Sequence, residues 1–323
     1  MRSSSNGAAA REPTISVQTE NISRSSPLKH RQKSRFLGAA CFAVVLAAVF
    51  GHPLLTLIKY AASSQLHSYI LLIPFVSAYL LYIRRDQLPK KYSVDLPLAI
   101  IFLAIGLGIL IFTYSWDFAG RVSGINDRLT LLTLSFLCCL AAGGFFFLGR
   151  AWMRAAAFPL AYLIFIVPMP NAMADALEQA SAVASAEMAN ILFHVTGMPF
   201  LRAGQIFQLP NITLEVGQEC SGIRSSLVLF ITSILAANLF LKTTWRRVAL
   251  IAIVIPLAIL RNGFRIFVIG LLCVHLGPQM IHSLIHRRGG PLFFVLSLIP
   301  FLFLLWLLRR GDTGESAESD TKL

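Results

Sequence analysis

The sequence has few charged residues. Lys, Arg, Asp and Glu make up only 13% of the 323 residues, about half of the share that is usual in soluble domains. Hydrophobic residues reach 56%, and the mean hydropathy is +0.70. A soluble domain of this length cannot bury so much apolar surface, because a large part of any folded chain stays exposed. The composition therefore excludes an ordinary soluble enzyme and a disordered protein, and predicts a polytopic membrane protein.

Cysteine is also scarce. The chain has five cysteines without a pairing pattern, and an odd number argues against a disulfide framework. Four of them lie in apolar runs, where a thiol behaves as a small hydrophobe: Cys41, Cys138, Cys139 and Cys273. Only Cys220 has polar neighbours, which makes it the one candidate for chemistry.

Acidic residues are outnumbered by basic ones, 15 to 28, so the net charge is +13. In a soluble protein this charge would indicate nucleic acid. Here the basic residues lie in short segments beside apolar runs, and no basic helix face carries interleaved aromatics. That pattern is typical of orientation signals at a lipid bilayer, so we expect no nucleic-acid partner. Residues 1–35 are polar and basic, and are predicted to be a disordered cytoplasmic tail.

Eight stretches are apolar and about long enough to cross a bilayer, which takes about 20 residues each. Each even-numbered stretch is followed by basic residues, as a cytoplasmic loop should be. We therefore expect an all-α domain over residues 36–308, with about eight transmembrane helices in the inner membrane and both termini, including the tail 309–323, in the cytoplasm. The stretches are 36–58, 67–83, 96–114, 129–148, 155–167, 221–241, 248–274 and 291–308, and the prolines around the fifth leave its bounds open.

The segment between the fifth and sixth stretches does not fit a membrane span. Residues 171–192 contain Asp175, Glu178 and Glu187, which make insertion costly and favour an amphipathic helix at the membrane interface. Residues 204–216 partly alternate between apolar and polar side chains, which predicts an extended or hairpin-like chain. The predicted topology places this whole segment outside the cell membrane, and it leads directly into Cys220.

Cys220 lies where this outer segment meets the sixth stretch, in the sequence Gln-Glu-Cys-Ser-Gly-Ile-Arg-Ser-Ser. Ser221 can cap the following helix, which would put Cys220 at a helix N-terminus, where the dipole stabilises a thiolate. The alternative is a buried structural thiol. Gly222 and Arg224 follow in the same motif and are secondary candidates together with Ser221.

Two arginines, Arg261 and Arg265, interrupt the seventh stretch. Charges inside a span are costly unless they face a cavity or a partner, so they predict a functional site. At about 1.5 Å per residue, Arg265 lies about 27 Å beyond the cytoplasmic Arg247, in the outer leaflet, with Arg261 one turn deeper. The alternative is an arginine that snorkels to the outer headgroups, which suits Arg265 better. Asn262 lies between them.

His282 and His286 lie in the outer loop before the eighth stretch. Their spacing suits a metal on one helical face, but a third ligand is missing, so the metal signal is weak. A histidine is also the natural general base for a thiol, and the alternative is a pair of solvated loop residues. The predicted topology brings Cys220, Arg265 and His286 to the same outer face. A nucleophile, a cation and a base at one depth suit acyl transfer through a thioester.

The same residues carry a family resemblance. Cys-Ser-Gly-Ile-Arg-Ser at 220–225, Asn-x-x-Arg-Ile at 262–266, and His286 with Gly290 resemble the exosortase/archaeosortase family of membrane cysteine transpeptidases. Residues 67–82, 158–170 and 214–216 are also similar to family segments. The family's usual Tyr-Ser-His-Gly reads Leu-His-Ser-Tyr at 66–69, which is a departure. The resemblance covers residues 36–308.

The resemblance implies Cys220 as nucleophile, Arg265 as the cation that stabilises the transition state, and His286 as acid and base. It assigns no counterpart to Arg261 or His282. It also implies substrates: secreted proteins with a C-terminal recognition motif (PEP-CTERM or a variant), a transmembrane helix and a basic cluster, which are cleaved and transferred to an acceptor. We expect no metal or organic cofactor.

Two other functions stay open at this point. A transporter or flippase could bind an anionic substrate with the two intramembrane arginines, which would favour a broken helix, and the only candidate break is at Asn262-Gly263. A non-catalytic membrane scaffold would leave the three aligned polar clusters unexplained.

Overall fold

The computed structural model describes residues 26–64, 66–89, 92–118, 124–210, 212–216, 222–277, 279 and 284–320. Eleven α-helices, three short 3-10 helices and three strands lie in these ranges. The helices are α1 Ser26–Val49, α2 Gly51–Ser63, α3 Ile73–Ile83, α4 Leu96–Phe118, α5 Ile125–Phe147, α6 Arg150–Ala155, α7 Ala157–Tyr162, α8 Asn171–Val195, α9 Ile223–Phe240, α10 Thr244–Leu276 and α11 Leu284–Asp320. The strands are β1 Leu201–Ala203, β2 Ile206–Leu209 and β3 Ile212–Glu215.

The chain is a multi-pass membrane protein. Among the described residues, five helical segments are long and apolar enough to cross a bilayer: Leu96–Trp116, Ile125–Phe147, Ile223–Phe240, Thr244–Leu276 and Leu292–Gly311. Two further helix pairs qualify only when each bent pair counts as one span, which brings the number to seven. The segment Ser68–Ile83 is a shorter apolar helix. The predicted membrane class is confirmed, whereas the count of eight transmembrane helices stays a prediction.

Several helices differ from the apolar stretches that predicted them. The first stretch is divided into α1 and α2, which meet at Phe50 with a bend of 73°. Helix α1 already begins at Ser26, within the predicted tail, and α11 continues beyond residue 308 to Asp320. Apolar composition marks only the part of a helix that matches the hydrocarbon core, while the backbone hydrogen-bond ladder continues past it.

Polar contacts join helices at the two ends of the bundle. Arg84, which follows α3, donates a hydrogen bond to Asn238 in the last turn of α9. At the other end, Asn126 at the start of α5 donates to the carbonyl of Met169 at 2.7 Å and to Asn171 at 2.8 Å. The end of α3 therefore lies beside the end of α9, and the start of α5 lies beside the start of α8.

The predicted interfacial segment contains a helix and a small sheet. Helix α8 confirms the helix expected at 171–192, and the three strands form an antiparallel sheet in the order β1-β2-β3. This sheet confirms the extended region expected at 204–216 and adds a β element to a mostly helical fold. Side chains alternate across a strand, so Phe207, Leu209 and Leu214 are buried on one face, where they pack with residues of α8 and α10.

An ion pair fastens the sheet to α8. The guanidinium of Arg202 on β1 donates to both carboxylate oxygens of Glu187, at 2.6 and 2.9 Å. These hydrogen bonds lower the pKa of Glu187 and raise the pKa of Arg202. The two-pronged geometry fixes the first strand over the helix more firmly than a single contact would.

Helices α8 and α10 approach each other closely because α10 has glycine at the contact. A Cβ at Gly263 would lie 2.6 Å from the side chain of Met188, and a Cβ at Gly270 would lie 2.7 Å from Phe193. Phe193 is fully buried between the sheet and α10. The sheet, α8 and α10 therefore share one core, and the chain leaves this core along β3 toward Gly222.

Candidate active site

Arg261 lies inside the protein and contacts the start of α9. Arg261 is only 7% exposed to solvent. Nη2 donates to the carbonyl of Gly222 at 3.2 Å and to Ser226 Oγ at 2.9 Å. Arg261 therefore does not snorkel to the headgroups, because its guanidinium faces a neighbouring helix terminus.

Gly222 occupies the N-cap position of α9, where the sequence analysis expected Ser221. The expectation of Ser221 as the cap was wrong, because the residue before Ile223 has a positive φ of 66°, a left-handed conformation that glycine adopts at little cost. The Gly222 carbonyl accepts the amide of Ser226 at 3.1 Å, which closes the first turn of the helix. The hydroxyls of Ser225 and Ser226 donate to the same oxygen at 3.0 Å.

Asn262 also packs against Gly222. A Cβ on Gly222 would lie 2.6 Å from Asn262 Oδ1, so the contact leaves no room for a side chain. Asn262 also donates from Nδ2 to Ser185 Oγ of α8 at 2.9 Å, and both residues are buried. Asn262 thus lies where α8, α9 and α10 meet. Ser185 and Ser226 were not predicted, because serines on a helix carry no signal of a long-range partner.

Arg265 is half-buried one helical turn beyond Arg261 on α10. Residues four apart lie on the same face of a helix, about 6 Å apart at Cβ. The two guanidinium groups therefore concentrate positive charge on one side of α10. Arg224, the other arginine near Gly222, is exposed.

The backbone of His286 lies in the first turn of α11, while its side chain is outside the described part. Helix α11 packs along α10, where the rings of Phe264 and Phe293 lie 6.3 Å apart. His286 precedes Phe293 by two turns, which is about 10 Å along the helix. The helix that bears His286 therefore runs beside the helix that bears Arg265.

Cys220, Ser221 and His282 lie outside the described residues. In sequence, Cys220 precedes Gly222 by two residues, so the contacts of Gly222 concern the immediate neighbourhood of the predicted nucleophile. The structure brings together Gly222, Arg261 and Asn262, which belong to two separate sequence motifs. Within the described ranges no group of three potential metal ligands occurs.

The arrangement offers hydrogen-bond donors and positive charge at a helix N-terminus inside an apolar environment. Charge–charge interactions are stronger there than in water, and the positive end of the α9 dipole adds to them. Such a site suits a reaction in which negative charge develops on an oxygen atom.

Comparison with protein families gives a match over most of the chain. The family model described as transmembrane exosortase matches residues 60–303, about three quarters of the chain, including Cys220, Arg265 and His286. Comparison with curated proteins and with solved structures finds no match.

Proposed function

The chain belongs to the transmembrane exosortase family, and on that premise we propose that it is a membrane cysteine transpeptidase with Cys220 as its nucleophile. Its substrates are secreted proteins that end in a recognition motif, a transmembrane helix and a basic cluster. The observation that supports this most directly is the contact of Arg261 and Asn262 with Gly222. It joins the motif of the cysteine to the motif of the arginines, although about 40 residues separate them in sequence.

In the proposed reaction, Cys220 Sγ attacks the scissile carbonyl while His286 takes the thiol proton. Arg265, or a backbone N–H near Ser221 and Gly222, stabilises the oxyanion that forms. The C–N bond then breaks, His286 donates the proton to the leaving amine, and a thioester remains on Cys220. A nucleophile of the acceptor then gives its proton to His286 and attacks the thioester carbonyl. The C–S bond breaks as the acyl group passes to the acceptor, and His286 returns the proton to the Cys220 thiolate.

We further propose that the site works at the outer face of the inner membrane, with both termini of the enzyme in the cytoplasm. The transmembrane helix of the substrate would dock from the side between spans, with its basic cluster in the cytoplasm. Membrane confinement would then replace a deep soluble pocket. The basic residues that follow each even-numbered apolar stretch support this topology.

The structure does not contain the broken helix at Asn262-Gly263 that would have favoured a transporter. Helix α10 runs unbroken from Thr244 to Leu276 through Asn262 and Gly263. Broken helices are the usual binding sites of transporters built from repeats, and the break that the sequence suggested beside the arginines is instead a regular helix packed on α8. The two bent helix pairs lie elsewhere, between α1 and α2 and before α8.

The experiment compares full-length Cys220→Ala and Cys220→Ser with wild type in cells that express a secreted reporter bearing a C-terminal signal from the same genome. Both variants should abolish processing of the reporter at normal enzyme level. Cys41→Ala is the matched control, because Cys41 is exposed in α1 and its loss should leave processing unchanged. Processing that survives in both Cys220 variants would refute the proposal and favour a transporter or a scaffold.

A further inference from the structure

An apolar groove lies between α1, α5 and the short helices α6 and α7. Its volume is about 160 Å³, it is open on one side, and the described residues that line it are all Ala, Gly, Leu, Met, Phe or Trp. An apolar cavity of this size stays dry and takes an apolar ligand. The groove therefore suits a hydrocarbon chain.

The groove runs along one face of α5. Its lining residues Leu137, Ala141, Gly144 and Leu148 follow one another at intervals of four, three and four residues, which is the spacing of one helical face. At about 1.5 Å per residue, this face extends over about 16 Å. That length is about half of the hydrocarbon core of a bilayer, which is about 30 Å thick. The groove therefore has the depth of one leaflet.

Contacts between α1 and α5 show at which end of the groove Arg35 lies. A Cβ on Gly38 would meet the ring of Phe147, and a Cβ on Gly143 would meet the ring of Phe42. The two helices are therefore antiparallel, since the later residue of α1 lies beside the earlier residue of α5. Arg35 precedes Gly38 by about one turn of α1. Its backbone is therefore level with the end of α5.

Two more arginines lie at this end of the groove. Arg150 and Arg154 flank the lining residues Trp152 and Met153 on α6, and both arginines are exposed. Residues four apart share one face of a helix, so these two positive charges are neighbours. Neither they nor Arg35 form an ion pair with a carboxylate of the described residues. The groove thus has an apolar length and a basic end.

From this arrangement we infer that the groove binds an anionic phospholipid, with one acyl chain along α5 and the headgroup phosphate at Arg35, Arg150 and Arg154. Basic pockets between membrane helices bind anionic headgroups, and the guanidinium fork matches the oxygens of a phosphate. A substrate helix that ends in a basic cluster does not suit this groove, because its cluster would face the three arginines. The inference does not depend on the proposed function.

The test measures lipid binding by the full-length protein in a neutral detergent. The rise in melting temperature with added lipid gives the affinity, because a ligand of the folded state stabilises it by mass action. The probes are phosphatidylglycerol and phosphatidylcholine with the same acyl chains. Wild type should bind phosphatidylglycerol about 10- to 30-fold more tightly, since the choline cation cancels the charge of the phosphate. Equal affinity for the two lipids would overturn the inference.

Two double variants test whether the arginines at the groove cause this preference. Arg150→Gln combined with Arg154→Gln should lose most of it and still fold, because both side chains are exposed. Arg309→Gln combined with Arg310→Gln is the matched control, since it removes the same charge at exposed positions of α11, and it should keep the preference. The inference is wrong if the first double variant keeps the preference, or if the control loses as much of it.

Competing probes and a filled groove test the role of the acyl chain. Lysophosphatidylglycerol, which has one chain, should displace phosphatidylglycerol, whereas glycerol 3-phosphate at the same concentration should not. Ala141→Leu places a larger side chain in the groove and should weaken the binding of both lipids about tenfold, because the chain loses apolar contact. Displacement by glycerol 3-phosphate would indicate a site for a free anion and refute a lipid site. Wild-type lipid affinity in a folded Ala141→Leu protein would refute it as well.

Discussion

Asn262 donates a hydrogen bond from Nδ2 to Ser185 Oγ at 2.9 Å and thereby joins α10 to α8 in the buried interior. The same Asn262 side chain touches Gly222 with its oxygen side. One amide therefore contacts α8 and the residue that caps α9 from the helix that carries the arginines, α10.

Removing either partner of this hydrogen bond should destabilise the protein. In Asn262→Ala or Ser185→Ala the remaining side chain loses this buried hydrogen bond, which costs about 1–3 kcal/mol of unfolding free energy. The double variant should lose less than the sum of the two single variants, because both polar groups are then absent. Denaturant unfolding in detergent micelles measures the unfolding free energy of wild type, both single variants and the double variant. If the losses of the two single variants add up in the double variant, the hydrogen bond does not contribute to stability.

Gly222→Ala should reduce processing at least tenfold. The new methyl group would lie 2.6 Å from Asn262 Oδ1, so α9 or α10 must shift. It also places a side chain at a φ of 66°, which costs about 1–2 kcal/mol by itself.

Gly204→Ala is the control for backbone strain alone. Gly204 has a φ of 63° in the turn between β1 and β2, and a Cβ there would meet nothing within 4 Å. The processing assay should therefore show a much larger loss for Gly222→Ala than for Gly204→Ala. Equal losses would mean that the contact with Asn262 does not matter for activity.

Arg265→Lys should lower kcat by about 100-fold, because a single ammonium cannot reproduce the planar fork of donors that faces a developing oxyanion. Initial rates of reporter cleavage over a range of substrate levels measure this effect. Arg150→Lys, at an exposed position at the start of α6, should leave the rates unchanged. A near-wild-type kcat in Arg265→Lys would argue against a transition-state role.

The Glu187–Arg202 pair should give the protein a pH-dependent stability. Its hydrogen bonds lower the pKa of Glu187 in the folded state, so the stabilisation is complete above the ordinary Glu pKa of about 4.3. It is lost as the pH falls through the lowered folded-state value. Glu187→Gln should therefore melt at a slightly lower temperature than wild type near pH 7, and this difference should shrink in acid.

Glu215→Gln serves as the matched variant for this measurement. Glu215 is exposed on β3 of the same sheet, so its replacement removes a charge without breaking the pair. Thermal melting curves in detergent at several pH values should separate the two variants. If the difference in melting temperature between wild type and Glu187→Gln does not change with pH, the pair does not give the protein a pH-dependent stability.

The sequence allowed some parts of this fold to be predicted because their signals are local. Three carboxylates among small apolar residues indicated α8, and alternation indicated the strands. The bend at Phe50 had a local signal as well, since Gly51 and Pro53 follow it and helices tend to end before proline. Proximity of Pro53 to the helix start explains why the first apolar stretch forms two helices.

The candidate site was harder to predict because its geometry depends on contacts between distant segments. The burial of Arg261 follows from the approach of α9 to α10, which no spacing within residues 248–274 reveals. Ser221 and Gly222 are both suitable caps by residue type, and only the positive φ decides between them. Ser185 becomes informative only when Asn262 is seen beside it.

Because α10 is unbroken, the number of residues before Arg261 determines which neighbouring helix each side chain of the site faces. Arg261 contacts the start of α9. Asn262 contacts both α8 and the start of α9, and Gly263 lies against Met188 of α8. One residue inserted nearer the start of the helix would rotate all three by about 100°. Natural variants of this protein should therefore tolerate exchanged side chains along the lipid-facing side far better than any insertion or deletion before Arg261.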